Sequence, residues 1–135
     1  MSENVITINS NAFYSMPNLT SVVMTNVYTI GSYAFYNSSK LSSVTLNEGV
    51  DSIGSYAFAG TSALTSIVLP NTVTYLGDSA FASSGLTSVN IPSGISMIYD
   101  YTFANTKLTS VHIPANVESI GYSAFFNVTA LQTVT

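Results

Sequence analysis

The chain has no cysteine, no tryptophan and no arginine, and only two lysines and one histidine among its 135 residues. Without cysteine there is no disulfide frame, no thiol nucleophile and no thiolate metal site. Two scattered lysines stand against six acidic side chains, for a net charge of −4. They cannot neutralise a phosphate backbone, so nucleic acid is not expected as a partner. A lone histidine, His112, leaves little room for imidazole-based metal or acid–base chemistry. Long hydrophobic runs are missing too, so no membrane insertion is expected. The opening MSENVITINS has neither the basic region nor the apolar core of a secretory leader. Charged residues make up only 6% of the chain and hydrophobic ones 47%, the reverse of the pattern that keeps a chain disordered.

What is present is repetition. A phenylalanine, usually preceded by alanine, recurs at Phe13, Phe35, Phe58, Phe81, Phe103 and Phe125, every 22 or 23 residues. A leucine follows five or six residues later, at Leu19, Leu41, Leu64, Leu86, Leu108 and Leu131. Three beyond it comes a branched residue (Val22, Val44, Ile67, Val89, Val111, Val134), and two further on Met24, Leu46, Leu69, Ile91 and Ile113. Val27, Val50, Val73, Ile95 and Val117 come next, then Ile30, Ile53, Leu76, Ile98 and Ile120, with Val5 and Ile8 filling those slots ahead of Phe13. No stretch lies outside the pattern.

Spacing dictates the physics of each unit. The V-x-L pair has the period of a strand with one buried face. Pro70, Pro92 and Pro114 follow at once and end the strand, because proline cannot donate to a ladder. Glycines at Gly31, Gly54, Gly77 and Gly121 mark a corner, and the Ala-Phe segment after them predicts a short helical turn that points Phe inward. One unit cannot bury its apolar slots alone, whereas stacked units can, each strand pairing in parallel with the next about 4.8 Å away. The expected fold is one repeat solenoid over 1–135: six in-phase units of 22–23 residues, mainly short parallel β-strands with tight turns, without capping segments.

The strings IGSYAFYNSSKLSSVTL, IGSYAFAGTSALTSIVLP and LTSVHIPANVESIGYSAF resemble the BspA-like class of leucine-rich repeats from end to end. Members commonly carry a cysteine in the segment after Phe, where this chain has other small residues. The resemblance implies a leucine-rich-repeat coil, a bacterial or protozoan surface setting, adhesion and protein binding, and no enzymatic activity.

The phenylalanine spacing also closes on itself: counted round to Phe13 of a following copy, the six intervals total 135 residues. Head-to-tail self-association into a fibre is therefore the first functional expectation, with Met1, Val5, Ile8, Phe13, Phe125, Leu131, Val134 and Thr135 at the contact. Such heterologous contacts propagate unless the curvature closes them. The runner-up is a ligand-binding or adhesion segment of a larger cell-surface protein.

Its candidate partner-binding face is the row Ser21, Ser43, Ser66, Ser88 and Ser110 with Thr45, Asn90 and His112 beside it, offered to an extracellular protein or glycan. Small hydroxyls also suit a turn-to-strand junction with no ligand at all. Asp78 and Asp100 share a slot in adjacent units, where two carboxylates are too few for a calcium site. Tyr33, Tyr56 and Tyr101 share another slot and are expected to stack. No serine sits in a nucleophile elbow, so neither catalysis nor a cofactor is expected. Sequons at Asn18, Asn37 and Asn127 mark glycosylation sites only if the chain is secreted from a eukaryote. An extracellular or cell-surface location is expected.

Overall fold

The computed structural model describes residues 4–135; Met1, one of the expected self-association residues, lies outside them. The chain winds through six layers, each set one repeat above the last. Among the described residues ten short strands form: β1 (Ile6–Ile8), β2 (Ser21–Val23), β3 (Val27–Ile30), β4 (Ser43–Thr45), β5 (Ser52–Ile53), β6 (Tyr75–Leu76), β7 (Met97–Ile98), β8 (Ser110–Val111), β9 (Ser119–Ile120) and β10 (Thr133–Val134). All pairings are parallel, and apart from a one-residue shift between Ile6 and Thr7 in β1 they keep the repeat register, with Ile30 opposite Ile53, Ile53 opposite Leu76, and Val22 opposite Val44. The strands built on V-x-x-I form one wall, in the order β1-β3-β5-β6 and then β7-β9. Those built on V-x-L form a second, narrower wall.

Between the walls runs the core. Six phenyl rings stack from Phe13 to Phe125, neighbouring centroids 5.1–5.9 Å apart and planes within 16° of parallel. Phe35, Phe58, Phe81 and Phe103 are fully buried, and each offset pair contributes about 0.5–1.5 kcal/mol beyond its area. Leu41, Leu64, Leu86 and Leu108 fill the space beside them, and Ile30, Ile53, Leu76 and Ile98 close the far wall.

The Ala-Phe segment differs from expectation. It contains no helix. The residues two before and two after each Phe have positive φ instead: Tyr33 (58°) and Asn37 (55°) around Phe35, Tyr101 (56°) and Asn105 (57°) around Phe103. Left-handed φ at these places aims alternate N–H groups along the coil axis. Tyr33, Phe35 and Asn37 donate to the carbonyls of Ser55, Ala57 and Ala59 in the next layer, at 2.9, 2.8 and 2.9 Å. The same three slots make the same bonds at every joint, always toward the higher-numbered layer. A left-handed residue costs about 1–3 kcal/mol, and these inter-layer bonds offset that cost where a helical turn would have left the groups unpaired between layers.

The glycines have a packing reason. A Cβ on Gly77 would lie 2.4 Å from the Ser55 nitrogen and 2.8 Å from the Gly54 carbonyl carbon. The corner is close backbone against backbone, and its φ is unexceptional.

The V-x-L wall also departs from the expected continuous ladder. Only β2 with β4, and β8 with β10, pair there. Side-chain amides clasp the backbone at two points near the division. Asn47, just past β4, accepts the Val27 N–H and donates to its carbonyl, at 3.0 and 3.1 Å, tying the chain after β4 to the start of β3. Asn90 accepts the Leu69 N–H and donates to the Leu69 carbonyl, at 2.9 and 2.8 Å. That ties Leu69 to the following layer.

Candidate functional site: the exposed strand face

The outer side of the V-x-L wall carries the serine row. Ser21, Ser43, Ser66, Ser88 and Ser110 are exposed, with Thr133 continuing the row, because each immediately precedes an inward-facing branched residue. One slot after that residue the face is mixed: Val23 and Val68 are 73% and 76% exposed, while Thr45 and His112 are polar and exposed. The His112 Nδ1 lies 3.0 Å from the Thr135 hydroxyl. Asn90 stands in the same slot, but its amide is committed to Leu69; it holds the wall together and offers little to a partner. The expected partner-binding row is thus assembled on one face with that one change of role.

At the break in the wall a cleft of about 250 Å³ opens, lined by Ser42, Ser43, Val44, Thr45, Leu46, Glu48, Ser66, Ile67, Val68 and Pro70. The repeat spacing, nearly uniform from unit to unit, gives no sign of it.

The expected self-association residues fall on the two end layers. Val5, Phe13 and Val134 are 64%, 42% and 60% exposed; Thr135 is exposed, and Ile8, Phe125 and Leu131 are half-buried against the core.

Other groups find local partners. Asp100 Oδ1 accepts the Tyr122 N–H at 2.7 Å, and Asp51 Oδ1 accepts the Thr74 hydroxyl at 2.9 Å. Among the described residues no three His, Cys, Asp or Glu side chains gather as a metal site. Tyr33 and Tyr56 stack at 4.8 Å and 4°. Tyr101 does not extend that stack, because Ser79 occupies the intervening layer; it meets Tyr122 edge-on at 5.7 Å. Asn18, Asn37 and Asn127 are exposed, and Asn127 donates to the Asn105 side chain at 2.9 Å.

A family model described as BspA type Leucine rich repeat region, with six copies, matches residues 4–132. The chain belongs to this family. No curated protein is similar enough to count as a match. Solved structures are. A leucine rich cell surface protein from Faecalibacterium prausnitzii is 31% identical, with a TM-score of 0.74 over 96% of this chain and 42% of that one. A leucine-rich repeat protein from Bacteroides ovatus is 26% identical, with a TM-score of 0.69 over 98% of this chain and 41% of its own. The leucine-rich repeat protein of T. pallidum is 25% identical, with a TM-score of 0.71 over 95% and 72%. The BspA-type chain thus spans about two fifths of the length of the first two. These neighbours share the coil and are repeat proteins.

Proposed function

We propose that this BspA-type segment works by surface contact and without catalysis, as a recognition segment at the cell surface that holds an extracellular protein or glycan on its exposed strand face. The observation that carries the reading is the face itself: an aligned hydroxyl row with Val23 and Val68 more than two-thirds exposed beside it. Apolar side chains set among polar ones are the composition of contact surfaces. A cell-surface relative at 31% identity supports the location. The test is binding of the purified chain to arrayed extracellular proteins and glycans, beside Val23→Asp and Val68→Asp variants. Binding that both variants abolish, with their melting temperatures unchanged, supports the reading. Binding that both retain overturns it.

Head-to-tail stacking is the second reading, and one observation favours it. Among the described residues, the N–H groups of Ser123, Phe125 and Asn127 in the last layer have no acceptor and the carbonyls of Ser10, Ala12 and Tyr14 in the first layer have no donor. Those are the slots that bond at every internal joint, so one end offers three donors and the other three acceptors. The same faces would equally receive further coil, as in the longer relatives, which is why stacking ranks second. A sedimentation series in which rods grow with concentration, and in which Val134→Lys leaves monomers, would support it; a monomer at every concentration counts against it.

A further inference from the structure

We propose that the cleft between β4 and residues 66–68 receives an extended peptide segment of a partner, one carrying a basic residue, which pairs with the free edge of β4. The inference rests on the exposed strand face being the binding face and names the place on it and the class of ligand.

Three observations lead there. First, the edge is open. Met24 donates to the Thr45 carbonyl at 2.9 Å, and Ser43 donates to the Thr20 carbonyl at 3.3 Å, so Ser43 and Thr45 spend their backbone groups toward β2. Successive residues of a strand present these groups to opposite sides, which turns the Val44 N–H and carbonyl toward the cleft. β4 has no pairing partner on that side. A row of unpaired strand groups is a template for another strand.

Second, the cleft has the chemistry of a strand neighbour. Its lining alternates hydroxyls (Ser43, Thr45, Ser66) with aliphatic groups (Val44, Ile67, Val68). No aromatic ring lines it, so the stacking platform that a sugar ring would favour is missing from this spot. The volume of about 250 Å³ falls below the range of about 300–1,000 Å³ for enclosed small-molecule sites. It suits a short length of extended chain laid along the β4 edge better than a compact small molecule.

Third, the charge has one sign. Glu48 is the only ionisable residue of the lining, and the chain carries a net charge of −4. Lysine or arginine in the ligand is therefore favoured over aspartate or glutamate.

The probe is the blocked peptide acetyl-Lys-Val-Thr-Val-Thr-Val-amide, titrated into the isotopically labelled full chain and followed by amide NMR. Two control peptides replace the lysine with glutamate or the central valine with proline. Saturable shifts centred on Val44, Leu46, Ile67 and Val68 are expected, with either control weakened about tenfold or more and Glu48→Lys weakening the lysine peptide similarly. Shifts centred instead on Ser88–His112 would overturn the cleft while leaving the strand-face reading standing. Shifts confined to the Tyr14 and Tyr36 edge would remove both. Absence of any shift at millimolar peptide, or a Val44 amide as protected from exchange in the free chain as that of Ile53, would also overturn the cleft proposal.

Discussion

Asn90 holds both backbone groups of Leu69, accepting its N–H at 2.9 Å and donating to its carbonyl at 2.8 Å. The side-chain amide thereby replaces a length of strand ladder at a point where Pro70 and Pro92 limit backbone donors. Removing it strands two partly buried groups. Asn90→Ala should lower unfolding free energy by about 1–3 kcal/mol, read from urea denaturation. Val68→Ala, at a neighbouring exposed position, should change it by less than about 0.5 kcal/mol.

The phenyl stack predicts a gradient. Phe81 lies fully buried between Phe58 and Phe103, at 5.5 and 5.9 Å. Phe81→Ala should cost about 3–5 kcal/mol. Phe13, 42% exposed with one stacking neighbour, should cost distinctly less when truncated. Equal losses at the two positions, by calorimetry, would contradict the stacked core.

Ser84 carries the one buried side-chain polar atom without a partner among the described residues. In the same slot, Thr61 and Thr106 donate to the Phe58 and Phe103 carbonyls at 2.7 and 2.8 Å. Ser84→Thr should therefore gain about 1 kcal/mol, and Ser84→Ala should be neutral or slightly stabilising. Thermal melts of the two variants check this, and a drop in both would show that the hydroxyl has a role.

At the corners, Gly77→Ala would place its Cβ 2.4 Å from the Ser55 nitrogen, a backbone atom that cannot swing aside. At Gly94 the nearest atom is a carbonyl oxygen at 3.1 Å. The Gly77 variant should melt well below the Gly94 variant.

Much of this architecture was legible in the sequence, because the 22–23-residue period fixes which side chains share a slot. Phe35, Leu41, Val44 and Ile53 are buried where the pattern placed them. The Ala-Phe turn reads as helical in the sequence because its other residues hide the true backbone: tyrosines such as Tyr33 and Tyr56 rarely adopt left-handed φ. The available clue was the recurrence of Asn37, Gly60, Asn105 and Asn127 two residues after Phe, types that tolerate that conformation. The broken strand wall was illegible for a different reason. Asn47 and Asn90 sit in ordinary strand and corner positions, and only folding decides which backbone each amide clasps.

The decisive measurement is hydrogen-exchange footprinting of the chain against its strongest partner from an extracellular protein and glycan array. Binding on the strand face should slow exchange at residues 21–23, 43–46 and 66–69 and leave the Phe-turn edge around Tyr14, Tyr36 and Tyr56 unchanged. Slowed exchange along that tyrosine edge, with the strand face unaffected, would contradict it.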